Sequence, residues 1–412
     1  MVGKIKKLLI VLCVLAICLF AFLQYQNRKT QTILDLTEDE KLSDFDTLCE
    51  ILDSSYPFWI EAQQIGIDRD TLYKAYREEI MKTDTDIEFF KCIGYFLKEF
   101  KGLGHLSVLD GYMYGLYTDT LSMLSPQEKL KIGPLCEVLE NEISSNTYSQ
   151  LDRSHGGFRS IIGLKDEYRN KDTEQITQTP EIVTEIYENK AAYVKIDSFE
   201  LTRYQQDEET LNAFYKEIAD VPNLIIDLRD NSGGSDSFWQ NLIVKPNAKT
   251  SLTSERYFLI NQNDLVSNYI SNRGIDVNEI DSSAKRFTAQ QESSFTHYTI
   301  DTKHFEQSEN PYKGDIWVLV DDTVYSSSEN FAVFCKNTGF ATLVGTATGG
   351  DGGADPILVS LPNSGLIVRF SVFYGLNANG TGNEAYGTEP DILIREDEDA
   401  LQKCLDQIDI LS

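Results

Sequence analysis

The chain has 412 residues, 41% of them hydrophobic and 25% charged, which suits a folded protein of two or three structural units. Its net charge of −28 and pI near 4.5 exclude nucleic acid as a partner, because a surface so acidic repels phosphate. The seven cysteines lack tight spacing, which argues against a disulfide framework and a metal site.

Lys4, Lys6 and Lys7 precede an uncharged apolar run from Leu8 to Leu23, and Arg28 and Lys29 follow it. A basic start before an apolar stretch is the pattern of a signal anchor. Residues 1–30 are therefore expected to hold the chain in the cell membrane as a single pass. The remainder would then be extracellular, or secreted if the segment is cleaved. Residues 31–105 read as a helical domain. Phe45, Leu48, Ile51 and Leu52 recur at helical spacing, as do Phe89, Cys92, Ile93, Phe96 and Leu97. A short strand-like stretch runs from Gly104 to Leu109. Residues 106–185 are mixed and read largely as loops or a linker.

From residue 186 onward the pattern alternates between strand and helix. Strands are expected at Ala192 to Ile196, Leu224 to Leu228 and Ile316 to Val320, and helices at Asp207 to Ile218 and Glu329 to Lys336. Thr342 to Val344, Ile357 to Leu361 and Leu366 to Phe373 are expected to complete a sheet-rich end. Such alternation indicates a layered α/β core spanning residues 186–412. Residues 250–312 are polar and read as an irregular excursion from it.

Two turns could carry chemistry. Asp227-Leu228-Arg229-Asp230-Asn231-Ser232-Gly233-Gly234 follows a buried strand, and paired glycines can leave backbone amides facing outward. Such amides can hold an oxyanion, although a plain strand-to-helix turn needs no more than the same residues. Ser326-Ser327-Ser328-Glu329 opens a helix, where one serine suffices as a cap. A nucleophile in that place would gain the helix dipole and free amides. A serine nucleophile needs a base, and His105, His155, His297 and His304 are the chain's four histidines. The last three lie in polar, irregular stretches, which makes His105 the natural candidate. Acids are too abundant for counting to select an orienting one.

Asp227-Leu228-Arg229-x-Asn231-x-Gly233-Gly234, Ser326-x-Ser328-Glu329, Gly345-x-x-Thr348-x-Gly350 and Gly387-x-x-Pro390-Asp391 follow one another in that order. Together they resemble the tail-specific (carboxyl-terminal processing) protease family, especially its tricorn-protease-like branch, over about residues 190–395. The resemblance implies a ClpP/crotonase-like α/β core and hydrolysis of a peptide or protein substrate without metal or organic cofactor. It places Ser326 at the nucleophile and the amides of Ser327 and of Gly233 or Gly234 at the oxyanion hole. The processing branch uses a lysine base near the position where this chain has Asp351. The tricorn-like branch uses an upstream histidine, matched by His105, and a glutamate, matched by Glu384. Its auxiliary serine before the histidine is replaced here by Gly104, and no PDZ domain is evident between residues 111 and 180. A non-catalytic protein on the same fold, holding a peptide or an apolar ligand, is the alternative reading.

Overall fold

The computed structural model describes residues 33–155, 182–270, 274–280, 285–351, 356–395 and 397–411. The expected anchor at residues 1–30 lies outside them. Among the described residues no helix is long and apolar enough to cross a membrane.

The principal helices before the first strand are α1 (Glu38–Ser55), α2 (Arg69–Ile80) and α3 (Asp86–Lys98). Strand β1 (Ser107–Val108) precedes α4 (Gly111–Met123), α5 (Pro126–Lys131), α6 (Gly133–Leu139) and α7 (Glu142–His155). Next come β2 (Val183–Tyr187), β3 (Ala191–Lys195), α8 (Tyr204–Glu217) and β4 (Asn223–Asp227). They lead to β5 (Leu252–Ile260), β6 (Ile275–Asp276), β7 (His297–Phe305) and β8 (Asp315–Val320). Helix α9 (Ser327–Thr338) is followed by β9 (Thr342–Gly345), β10 (Ile357–Ser360), β11 (Ile367–Phe370) and β12 (Tyr374–Leu376). The chain closes with α10 (Asn383–Tyr386), β13 (Ile392–Leu393) and α11 (Ala400–Leu411).

The described residues form two compact units. The first takes residues 33–54, 62–155 and 357–370. Its helices start where side chains satisfy the open amides. Asp68 accepts from Thr71 N at α2, and Thr85 and Glu88 form a capping box at α3. Phe45, Phe89, Phe96 and Phe100 are fully buried, with Phe45 and Phe96 edge to face at 5.1 Å. A second cluster joins Leu109, Leu121, Leu139 and Tyr148 to Leu358 and Ile367.

Two expectations are corrected here. The stretch read as loops after residue 106 contains α4 to α7; α4 has no clear apolar stripe, with Met113, Tyr114 and Tyr117 only partly covered, and α7 is largely polar in composition. Strands β10 and β11 fall within the span expected as the 186–412 core, but they belong to the first unit and to a sheet of their own. They pair antiparallel with each other, and β11 pairs antiparallel with β1, in a separate three-stranded sheet.

The second unit takes residues 55–61, 182–351, 356 and 371–411 within the described parts. Its six-stranded sheet has the order β13-β9-β8-β4-β3-β2, parallel except for the antiparallel edge strand β2. Period-two alternation sorts its side chains between two apolar layers. Leu224, Ile226, Val318 and Val320 join Phe331, Phe334 and Trp239 on one face. Ile225, Trp317 and Leu319 join Ala400, Cys404 and Ile408 of α11 on the other. The fold is mixed α/β.

Residues 250–312 are the third correction. They contain β5 and β7, nine residues each and paired along their whole length, in a four-stranded sheet of order β12-β5-β7-β6. Their solvent-facing alternate residues made the stretch look polar.

Candidate active site

The loops after the neighbouring parallel strands β4 and β8 meet at the carboxyl ends of those strands, where open α/β sheets place their ligands. Asp227 ends β4 fully buried. Its carboxylate accepts from Arg229 Nε (2.9 Å) and Nη2 (2.7 Å) and from the Tyr193 hydroxyl (2.8 Å). The same carboxylate accepts from Arg229 N at 3.0 Å, so it fixes the start of the turn. Asn231, also fully buried, donates to Ile196 O at 2.9 Å, and its Oδ1 accepts from Gly233 N at 2.9 Å. The two loops are tied together by Asp230 N donating to Thr323 Oγ1 at 2.7 Å.

Gly233 has φ +110, and a methyl group there would lie 2.9 Å from Ser327 N and 3.0 Å from Ser326 Cβ. Only glycine lets the backbone come this close to the start of α9. The Gly233 amide is committed to Asn231. The amides of Gly234 and Ser327 make no hydrogen bond to another described residue. Gly233 therefore shapes the turn, and Gly234 and Ser327 carry the free donors.

Ser326 occupies the N-cap of α9 but does not act as a cap. Its side chain makes no capping hydrogen bond, and its backbone sits at φ 56, ψ −119. Non-glycine residues rarely hold such a conformation, and it concentrates where a side chain must be presented. Ser328 is different. It is fully buried, and its Oγ lies 2.6 Å from Asn231 O and 2.8 Å from Tyr325 O, able to donate to either. It braces the turn and is not presented for attack.

Gly350 forms a bridge with Tyr325 on one side. On the other, a methyl group there would lie 2.6 Å from Asn383 O and 2.8 Å from Glu384 O. The Glu384 turn is thus one backbone segment from the Ser326 turn. Glu384 is half-buried on α10. Burial, then the Glu384 and Glu61 charges, push the fully buried Tyr56 phenol well above its ordinary range. Asp351 follows Gly350, buried, at φ 64.

Sequence reading missed Glu329 as more than a helix-start acid. It is fully buried, and its Oε1 accepts from Asn383 Nδ2 and Thr388 Oγ1, both at 2.6 Å. Thr388 N in turn donates to Thr348 Oγ1 at 2.6 Å. The last three sequence motifs therefore converge on one carboxyl group, and their shared order was the signal available. Glu329 Oε2 has no hydrogen-bond partner among the described residues.

Burial pushes Glu329 above the ordinary carboxylate range, against hydrogen bonds from Asn383, Thr348 and Thr388 and the charge of Arg256. The folded chain then binds this proton more tightly than the unfolded chain. The resulting stability is full below the ordinary glutamate value of about 4.3 and is lost as pH rises toward the folded value. Between those limits the parent should lose stability with rising pH more steeply than Glu329→Gln, which keeps an acceptor oxygen and carries no proton. Urea midpoints of both proteins across that window provide the measurement. Parallel slopes would show that Glu329 titrates as it does in water.

His105 belongs to the first unit, in the tight turn between α3 and β1. Lys101, Gly102, Gly104 and His105 all have positive φ, with His105 at 59°. Its amide donates to Gly102 O at 2.9 Å. Its Nδ1 lies 3.1 Å from Nη2 of Arg369 on β11. His105, Ser326 and Asp351, all singled out from sequence, thus share a left-handed backbone that few non-glycine residues adopt. Among the described residues, no group of three or more His, Cys, Asp and Glu side chains is placed to hold a metal ion.

The profile of peptidase family S41 matches residues 190–394. No curated protein matches the chain in sequence. Among solved structures, a candidate peptidase from Parabacteroides merdae is similar at 19% identity and TM-score 0.54, covering 89% of this chain and 96% of that one. Mature CPAF complexed with lactacystin is similar at 13% identity and TM-score 0.53, covering 91% and 97%. Mature CPAF alone gives 14% identity and TM-score 0.52, covering 86% and 92%.

Proposed function

The chain belongs to peptidase family S41 and is a serine peptidase, and from that premise we propose that Ser326 is its nucleophile, His105 its general base and Glu384 the acid that orients the imidazole. The observation that carries the reading is the Ser326 backbone, strained at the head of α9 with no capping bond. His105 takes the proton of Ser326 Oγ as that oxygen attacks the peptide carbonyl carbon. The amides of Gly234 and Ser327 hold the oxyanion, within a turn that Asn231 and Gly233 shape. The C–N bond then breaks, and the imidazolium passes its proton to the leaving amine. Water repeats the sequence on the acyl-enzyme and frees Ser326. Glu384 receives the Nδ1 proton's hydrogen bond during the reaction and stabilises the cationic ring.

The reading requires His105 and Glu384 to meet at Ser326, and it assigns Asp351 no part as base. It takes the core as ClpP/crotonase-like, the substrate as a peptide or protein, and residues 1–30 as a membrane anchor that leaves the catalytic part outside the cell.

A fluorophosphonate probe tests the nucleophile directly. Mass spectrometry of the labelled, digested protein should find the adduct on Ser326. A folded protein that takes no label, or takes it on another serine, would sink the assignment and favour a ligand-holding role.

A further inference from the structure

The contact between Arg369 and His105 has a chemical consequence. A guanidinium carries five N–H donors, no acceptor and a permanent charge. Its Nη2, 3.1 Å from His105 Nδ1, can bond only to a lone pair there. The neutral ring then carries its proton on Nε2. That is the opposite of the tautomer a base for serine needs, in which Nδ1–H donates to a carboxylate and Nε2 accepts.

The contact is built rather than incidental. Arg369 is the register partner of Ser107, two residues beyond His105, so antiparallel pairing of β1 and β11 delivers it to the ring. Ser107 Oγ donates to His105 O at 3.2 Å, and the His105 amide is held by Gly102 O. The Arg369 Nε is buried with no hydrogen-bond partner, and the side chain makes no ion pair, among the described residues. Arg369 as a whole is half-buried, so its remaining Nη donors can stay in water without a carboxylate. Here its polar contact is the imidazole.

We propose that Arg369 is a positioning residue that restrains His105 in its Nε2–H tautomer, so that Arg369 must release Nδ1 before Ser326 can be activated. On release, one proton leaves Nε2 and one joins Nδ1, both exchanged with water, and the net charge of the ring is unchanged. Nδ1–H is then free to donate to Glu384. The catalytic consequence rests on reading His105 as the base; the tautomer does not.

The test has a spectroscopic arm and a kinetic arm, both on the full chain. With four histidines, ¹⁵N-histidine labelling and long-range ¹H–¹⁵N spectra resolve each ring, and His105 is assigned by the signal missing in His105→Asn. The parent and Arg369→Lys, which keeps a donor-only cation, should show a protonated Nε2 and a bare Nδ1. Arg369→Met, which keeps the stem and loses every donor, should shift His105 toward Nδ1–H. On a cleavable peptide Arg369→Met should raise kcat about tenfold at unchanged KM, the scale of one charge-assisted hydrogen bond, and Arg369→Lys should stay near the parent. A parent with Nδ1–H, or Arg369→Met with unaltered Nε2–H, overturns the restraint whether or not the chain cleaves the peptide. A shifted tautomer with lower kcat overturns the release step. If His105→Asn hydrolyses normally while the parent shows Nε2–H, the base assignment fails and the restraint stands.

Discussion

Ser326→Ala is expected to abolish peptide hydrolysis and leave the fold intact. Loss of the attacking oxygen removes the covalent route altogether, a fall in kcat of roughly 10⁴–10⁶-fold when a nucleophile is deleted. Stability should change by less than about 1 kcal/mol, the usual worth of a serine cap. Ser326 makes no capping bond that alanine would forfeit. Neighbouring Ser328 cannot substitute, because its buried hydroxyl is committed to Asn231 O or Tyr325 O. Turnover of a cleavable peptide and urea midpoints of both proteins form the check. Retained turnover would move the nucleophile elsewhere. A large loss of stability would mean that the hydroxyl holds the turn.

His105→Asn should cost roughly 10²–10⁴-fold in kcat, the range that a positioned general base contributes. Asparagine is the better probe than alanine because His105 sits at φ 59, a region that histidine and asparagine adopt more readily than alanine. The substitution therefore removes the titrating nitrogen with little change to the turn. Circular dichroism should superimpose with the parent, and added imidazole should restore part of the rate. A variant that folds and turns over like the parent would end the role of His105 and leave Ser326 in need of another base.

Much of the second unit was legible in the sequence because its signals are local. The buried runs at Leu224 and Ile316, the glycines after Asp227 and the serines before Glu329 each announce an element or a turn within a few residues. Strands β5 and β7 were hidden by one solvent-facing side, α4 by a weak apolar stripe and α7 by its polar composition. Neither pattern says which strand will be its partner.

The sequence by itself determined the main-sheet strands near Ala192, Leu224 and Ile316, where α9 begins, and that Ser326 and His105 were the residues to examine. Local backbone preference and apolar period are enough for that, since both act over one or two turns of chain. Only the tertiary structure decided what those residues touch. Glu329 receives Asn383 and Thr388 from 54 and 59 residues away, and Arg369 reaches His105 across 264. The Gly233 amide, a donor on sequence grounds, is taken by Asn231 once the turn closes. Hydrogen-bond pairing in a buried turn is settled by which groups packing brings within about 3 Å, and no spacing along the chain encodes that.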